Sequence, residues 1–93
     1  MRTIERTSRF KRDYKRESRG RHRKHLDTSL VAIVEALANE QPLDHRHHDH
    51  ALSGKWGDYR DCHVKPDLVL IYQESGADIL RLVRLGSHAE LGL

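Results

Sequence analysis

The chain has 93 residues, of which 37% are hydrophobic and 33% charged, and a formal net charge of +3. That length supports one modest core and one domain spanning residues 1–93. It contains no apolar run near the roughly 20 residues of a membrane span and no signal-peptide pattern, and its lone Cys62 permits neither an internal disulfide nor a cysteine-rich zinc site.

A cytoplasmic location with no membrane partner is therefore expected, and Cys62 reads as a small semi-buried strand residue. In chain order, MRTIERT alternates weakly and predicts a short first strand with Ile4 as its buried residue. Ser8 is placed to cap a following helix, whose narrow apolar stripe is Phe10 and Tyr14, four residues apart. Gly20 ends that helix. Leu26, Leu30, Ile33, Val34 and Leu37 recur at helical spacing and predict a second helix. Asn39 and Pro42 stop it, because proline lacks the amide donor and disfavours helical geometry in the residue before it.

The stretch LDHRHHDHALSGKWGD is polar and histidine-rich and is read as a loop. Tyr59 to Val64 then alternates, with Tyr59, Asp61 and His63 on one face and Arg60, Cys62 and Val64 on the other. Pro66 interrupts the run. Leu68 to Tyr72 is continuously apolar and suits a central strand covered on both sides. Glu74, Ser75, Gly76 and Ala77 are read as a hairpin turn, and Ile79 to Leu85 as the last strand, with Arg81 and Arg84 on opposite faces. Helices early and strands late predict an α+β domain: a mostly antiparallel sheet of about four strands with a helix hairpin on one side.

Charge is unevenly placed. Residues 1–24 hold eleven Lys and Arg against three acids, whereas the rest hold six bases and eleven acids. A basic segment of that density, including Lys11 and Lys15, is an electrostatic footprint for phosphate backbones. Its plain structural reading is the solvated face of a helix.

The segment from His50 to Tyr72 concentrates groups suited to proton transfer. Metal-free RNA cleavage needs a base for the 2′-hydroxyl, cations for the charged phosphorane and an acid for the leaving 5′-oxygen. Histidine serves as base or acid near neutral pH, and arginine holds phosphate oxygens through paired bonds. His50, His63, Asp67, Arg84 and His88 supply those types at strand and loop ends. Each also has a plainer reading: exposed histidines, a turn-forming Asp67, and Arg84 paired with Asp61 or Glu90. Trp56 and Tyr59 either stack on bases or cover the open side of the sheet, with core packing favoured for Trp56. His45 and His47, with His48, Asp49 and His50 nearby, offer metal ligands. Neighbours in a flexible loop also take up metal adventitiously, so no functional metal and no cofactor are expected.

The pattern His50-x-Leu52-x-Gly54-x-Trp56, Tyr59-Arg60-Asp61-x-His63-Val64, Pro66-Asp67, Leu70-Ile71-Tyr72, Arg84, Gly86 and His88-Ala89 resembles the YafQ branch of the RelE-like toxins of type II toxin–antitoxin pairs. The resemblance covers roughly the last 45 residues in register, and the strand–helix–helix start agrees in layout. It implies a RelE-like fold and a ribosome-dependent endoribonuclease that cleaves messenger RNA in the A site of the 70S ribosome. It also implies inhibition by a small acidic antitoxin, through which operator DNA would be bound indirectly. By matching position, His50, His63, Asp67 and His88 are the implied catalytic set: His50 or Asp67 as base, His88 as acid, His63 orienting the RNA. Arg84 is the implied phosphate ligand, with Arg60, Tyr59, Arg81, Lys11 and Lys15 as further RNA contacts.

Three positions depart from the family pattern. Leu68 stands where relatives often have tryptophan, the glycine after Trp56 comes one residue early, and the terminal LGL lacks the aromatic that stacks on an RNA base. Such stacking contributes ~1–3 kcal/mol per base, and Tyr59 is the available substitute. The competing expectations are a non-catalytic basic nucleic-acid-binding regulatory module, which would tolerate His88→Gln, and a metal-binding structural protein, which would purify with stoichiometric metal.

Overall fold

The structure is a computed structural model that describes residues 1–76 and 78–93. Five strands form one sheet in the order β1-β5-β4-β3-β2. Its members are β1 (Thr3–Arg6), β2 (His50–Ala51), β3 (Arg60–Lys65), β4 (Leu68–Ser75) and β5 (Ile79–Gly86), with helices α1 (Ser8–Glu17), α2 (Leu26–Ala38) and α3 (His88–Leu91). β1 runs parallel to β5, and the β2/β3, β3/β4 and β4/β5 pairs are antiparallel. The α+β architecture agrees with the expectation. The sheet gains a fifth member because His50 and Ala51, read as loop, pair with Asp61 and Arg60.

β4 is apolar throughout because both of its faces are covered, and Leu68 through Tyr72 are all buried. Leu70 and Tyr72 join Phe10, Leu26, Leu30, Ile33, Leu37, Cys62, Val64, Leu80, Leu82 and Leu85 in the main core beneath the helix pair. Val69 and Ile71 face the other way, into a smaller cluster with Leu91, Leu52, Trp56, Tyr59 and Val83. Strand alternation thus sends neighbouring residues into two different hydrophobic clusters.

Several local expectations are corrected. Ile4 is 38% exposed, because β1 is an edge strand whose four residues are all exposed. The cap of α1 is Thr7, not Ser8: its Oγ1 accepts from the Phe10 amide at 3.0 Å and donates to the Val83 carbonyl at 2.8 Å. Thr7 therefore both starts the helix and ties it to β5. Glu74 and Ser75 belong to β4, not to a turn, while Ala77 lies outside the described residues. The last residues form α3, which the sequence reading left unassigned. Ser87 caps it through a capping box with Glu90, and Leu91 anchors it in the smaller cluster.

Candidate active site

On β3, Cys62 and Val64 enter the main core, so Asp61 and His63 point to the opposite face. That face is covered by α3 and by the segment carrying Leu52, Trp56 and Tyr59. Asp61 is only 3% exposed there. Its Cα partner across the β2/β3 pair is His50, whose Nδ1 lies 3.1 Å from Asp61 Oδ1. The His63 ring stands edge-on to His88 of α3 with centroids 5.0 Å apart, and the His48 ring lies 5.3 Å from His63. β2, β3 and α3 thus bring His50, His63 and His88 around one buried carboxylate, and His48 flanks His63.

The electrostatics of this group are asymmetric. Burial pushes the Asp61 carboxyl above the usual carboxylate range, while His50, His63 and His88 oppose that shift. Burial and the adjacent His88 hold His63 below the usual imidazole value, with Asp61 acting the other way. The His63 and His88 rings, 5.0 Å apart, are close enough for a charge on His88 to oppose a charge on His63. His50 Nδ1 is 2.7 Å from the His48 carbonyl, which can only accept, so Nδ1 carries the proton and Nε2 holds the lone pair of the neutral ring. Asp61 Oδ1 has no aligned hydrogen bond, so its approach to His50 is a charge contact that strengthens once the imidazole is protonated.

Asp67 is not joined to this cluster. It sits in the β3–β4 turn, where Arg21 Nη2 reaches one oxygen at 2.7 Å and His22 Nε2 the other at 2.9 Å. Arg84 pairs with Asp13 of α1, not with Asp61 or Glu90: Nε is 2.7 Å and Nη2 3.3 Å from its carboxylate. The Leu85 amide also donates to Asp13, which is 4% exposed. Burial tends to raise the Asp13 carboxyl, but Arg84, the Leu85 amide and Arg16 outweigh it and hold it low. Glu90 pairs instead with Arg16, which also donates to the Leu85 carbonyl at 2.8 Å and so ties α3 to α1 and β5.

The other expected RNA contacts are dispersed. Arg60 Nε reaches Tyr72 Oη at 3.3 Å and Asp49 at 3.4 Å on the helix side of β3. Arg81 is taken up by Glu5 and by Gln73 at 2.7 Å. Tyr59 packs edge-on against Trp56 at 5.5 Å, and Trp56 is half-buried with its indole nitrogen enclosed and without a partner among the described residues. Lys11 and Lys15 are exposed on α1, with no ion pair among the described residues.

Two members of the cluster escaped the sequence reading. Asp61 had a signal, since alternation placed it beside His63. His48 had none, lying in a loop beside His45 and His47, and only the path of the chain turns its ring toward His63. His47 serves the backbone instead, its Nδ1 donating to the His63 carbonyl at 2.7 Å. Among the described residues, no group of three or more His, Cys, Asp or Glu is arranged to hold a metal ion.

Residues 2–92 match the family model described as a bacterial toxin of type II toxin–antitoxin systems, YafQ. The chain is 34% identical over 90 residues to the mRNA interferase toxin YafQ of Escherichia coli, covering 95% of this chain and 97% of that protein. Among solved structures, the YafQ chain of the E. coli DinJ–YafQ complex superposes with a TM-score of 0.79 at 34% identity, covering 98% of both chains. A metal-bound toxin from Helicobacter pylori superposes with a TM-score of 0.82 at 42% identity, covering 98% of this chain and 99% of that one.

Proposed function

The chain belongs to the YafQ family of type II toxin–antitoxin toxins, and from that membership we propose that it is an endoribonuclease that cuts messenger RNA on the ribosome by general acid–base catalysis. The observation that carries the mechanism is the buried Asp61 carboxylate among His50, His63 and His88. Those residues supply the proton acceptor, the proton donor and the compensating charge that 2′-hydroxyl attack requires, with no resident metal called on.

His50 is the base. Its Nδ1 proton is engaged by the His48 carbonyl, which leaves Nε2 to take the 2′-hydroxyl proton. Asp61 beside Nδ1 stabilises the resulting imidazolium. The 2′-oxygen then bonds to phosphorus, the bond from phosphorus to the 5′-oxygen breaks, and His88 delivers a proton to that leaving oxygen. The products are a 2′,3′-cyclic phosphate and a 5′-hydroxyl. His63 orients the RNA and packs edge-on against His88. Arg84 retains Nη1 for a phosphate oxygen while Asp13 holds Nε and Nη2. Asp67 is paired with Arg21, which favours His50 over Asp67 as the base.

The basic α1 face with Lys11 and Lys15 grips ribosomal RNA. A small acidic antitoxin neutralises it, as the E. coli relative is held in a complex with DinJ, and operator DNA is reached only through that antitoxin. Primer extension on a ribosome-bound message, with and without the protein, tests this reading. Stops within the A-site codon that persist with a chelator and vanish in His88→Gln are expected. A message left intact by the wild-type protein overturns it.

A further inference from the structure

The segment that carries His48 and His50 lies at the edge of the sheet, where β2 has one neighbouring strand, β3. β2 pairs with β3 in register at His50 and Ala51, and the Leu52 amide continues the pairing to the Tyr59 carbonyl at 3.0 Å. Within the preceding turn, the His47 and His48 amides bond to the Asp44 and His45 carbonyls, which fixes its internal shape but not its place on the sheet. His48 also lies in the left-handed region at φ +47, where a non-glycine residue is held only by firm surroundings. Two side chains supply those surroundings from outside the cluster: His47, bonded to the His63 carbonyl, and Asp49.

Asp49 stands between the two site histidines, and its carboxylate reaches through to the helix side of the sheet. There the Tyr72 hydroxyl, on the central strand β4, donates to Oδ1, and Arg60 Nε approaches the same oxygen at 3.4 Å. Tyr72 is fully buried, and burial together with Asp49 keeps its hydroxyl protonated, so it remains a donor at any physiological pH. Arg60 also reaches the Tyr72 oxygen at 3.3 Å and balances the Asp49 charge.

We propose that Tyr72 is a positioning residue: through Asp49, and with Arg60, it tethers the His48–His50 segment so that the His50 imidazole faces the reacting phosphodiester. The arrangement is economical in physical terms. β4 is the most deeply buried strand, so its backbone gives the tether a fixed origin. A single carboxylate placed between two histidines sets the direction of both. The tether assigns Arg60 to this network rather than to the RNA. It rests on the proposed ribonuclease reading for its catalytic consequence, and on geometry alone for its structural one.

The test uses the full chain with Tyr72→Phe, which removes only the hydroxyl, and Asp49→Ala, which removes the other end from a segment outside the main core. In the free protein, imidazole nitrogen correlations of His48 and His50 by NMR and amide exchange at His50 and Ala51 report the tether without any RNA. Both variants are expected to shift the His50 ring signals, speed exchange at those amides at least tenfold, and leave the Cys62 and Leu70 amides protected. On a ribosome-bound message, kcat is expected to fall roughly 10–100-fold with KM within about twofold, since misplacing a reacting group costs rate more than binding. Asp49→Glu, a carboxylate of similar reach, should recover part of kcat.

If Tyr72→Phe fails to fold, Asp49→Ala still decides the question. Unchanged His50 signals and exchange in a folded variant overturn the tether, whatever the cleavage assay shows. A wild-type protein that does not cleave overturns the ribonuclease reading, while the NMR comparison still judges the tether.

Discussion

His50 Nδ1 lies 3.1 Å from the Oδ1 of Asp61, a residue with almost no solvent exposure whose Oδ1 has no aligned hydrogen bond among the described residues. Burial raises the Asp61 carboxyl above its usual value despite the three histidines that oppose the shift. A group whose pKa is raised on folding contributes stability that is fully present below its unfolded pKa and is lost as pH rises through the folded value. Folding therefore disfavours the charged form of Asp61, the pattern of a site that trades stability for chemistry. Asp61→Asn should raise the melting temperature by a few degrees at neutral pH, leave it unchanged below the unfolded value of 3.8, and slow cleavage roughly 100-fold. The pKa of His63, read by NMR, should fall further, because the carboxylate that supports its charged form is gone. An unchanged melting temperature together with an unchanged rate would refute this account.

His50→Ala and His88→Ala should each reduce cleavage of ribosome-bound message by roughly 10²–10⁴-fold, the usual worth of a positioned acid or base. Both side chains are at least half exposed or at the surface, so melting temperatures should stay near wild type. Ribosome binding measured by sedimentation should survive in both. Wild-type rates in the two variants would remove them from the mechanism.

Arg84 and Asp13 form a buried pair between β5 and α1. Arg84→Gln leaves the Asp13 carboxylate without its main partner and should destabilise the protein by about 3–5 kcal/mol, visible in urea unfolding. Asp13 is held low, so the stability it contributes is present above its unfolded value of 3.8 and is lost as pH falls through the folded one. The wild-type protein should therefore lose stability on acidification below that value, and Asp13→Asn should lose less over the same interval. If Arg84→Gln has wild-type stability and only weakened RNA binding, the pair has no structural weight.

Lys11 and Lys15 lie exposed on α1, away from the histidine cluster. Replacing both by alanine should weaken ribosome binding most at low salt and flatten the dependence of log K on log salt by about one unit per lost phosphate contact. Cleavage at saturating ribosome should stay at the wild-type rate. A slope identical to wild type would mean that α1 does not touch RNA.

Much of the fold was legible because its signals are local and periodic. The α2 stripe of Leu26, Leu30, Ile33, Val34 and Leu37 is buried as its spacing requires. The apolar run from Leu68 to Tyr72 is the central strand it suggests. Errors came where a residue's environment depends on a distant neighbour. Ile4 looked like a core residue, yet on the edge strand β1 it stays 38% exposed. His50 and Ala51 looked like loop because a two-residue strand has no period to detect. The α3 helix is too short for a helical stripe, although Ser87 and Glu90 spell its capping box.

By itself, the sequence determined the two helices, the central strands, the basic opening segment and the residue types from which a proton-transfer site is built. These follow from periodicity and side-chain chemistry, which are properties of neighbouring residues. Only the tertiary structure decided which of those residues meet. It set Asp61 beside His50, stood His63 against His88, and tied Arg84 to Asp13 and Asp67 to Arg21 and His22. The reason is physical: burial and the pairing of charges depend on distances across the sheet, which are fixed by strand register and by the packing of α1 and α3, not by separation along the chain.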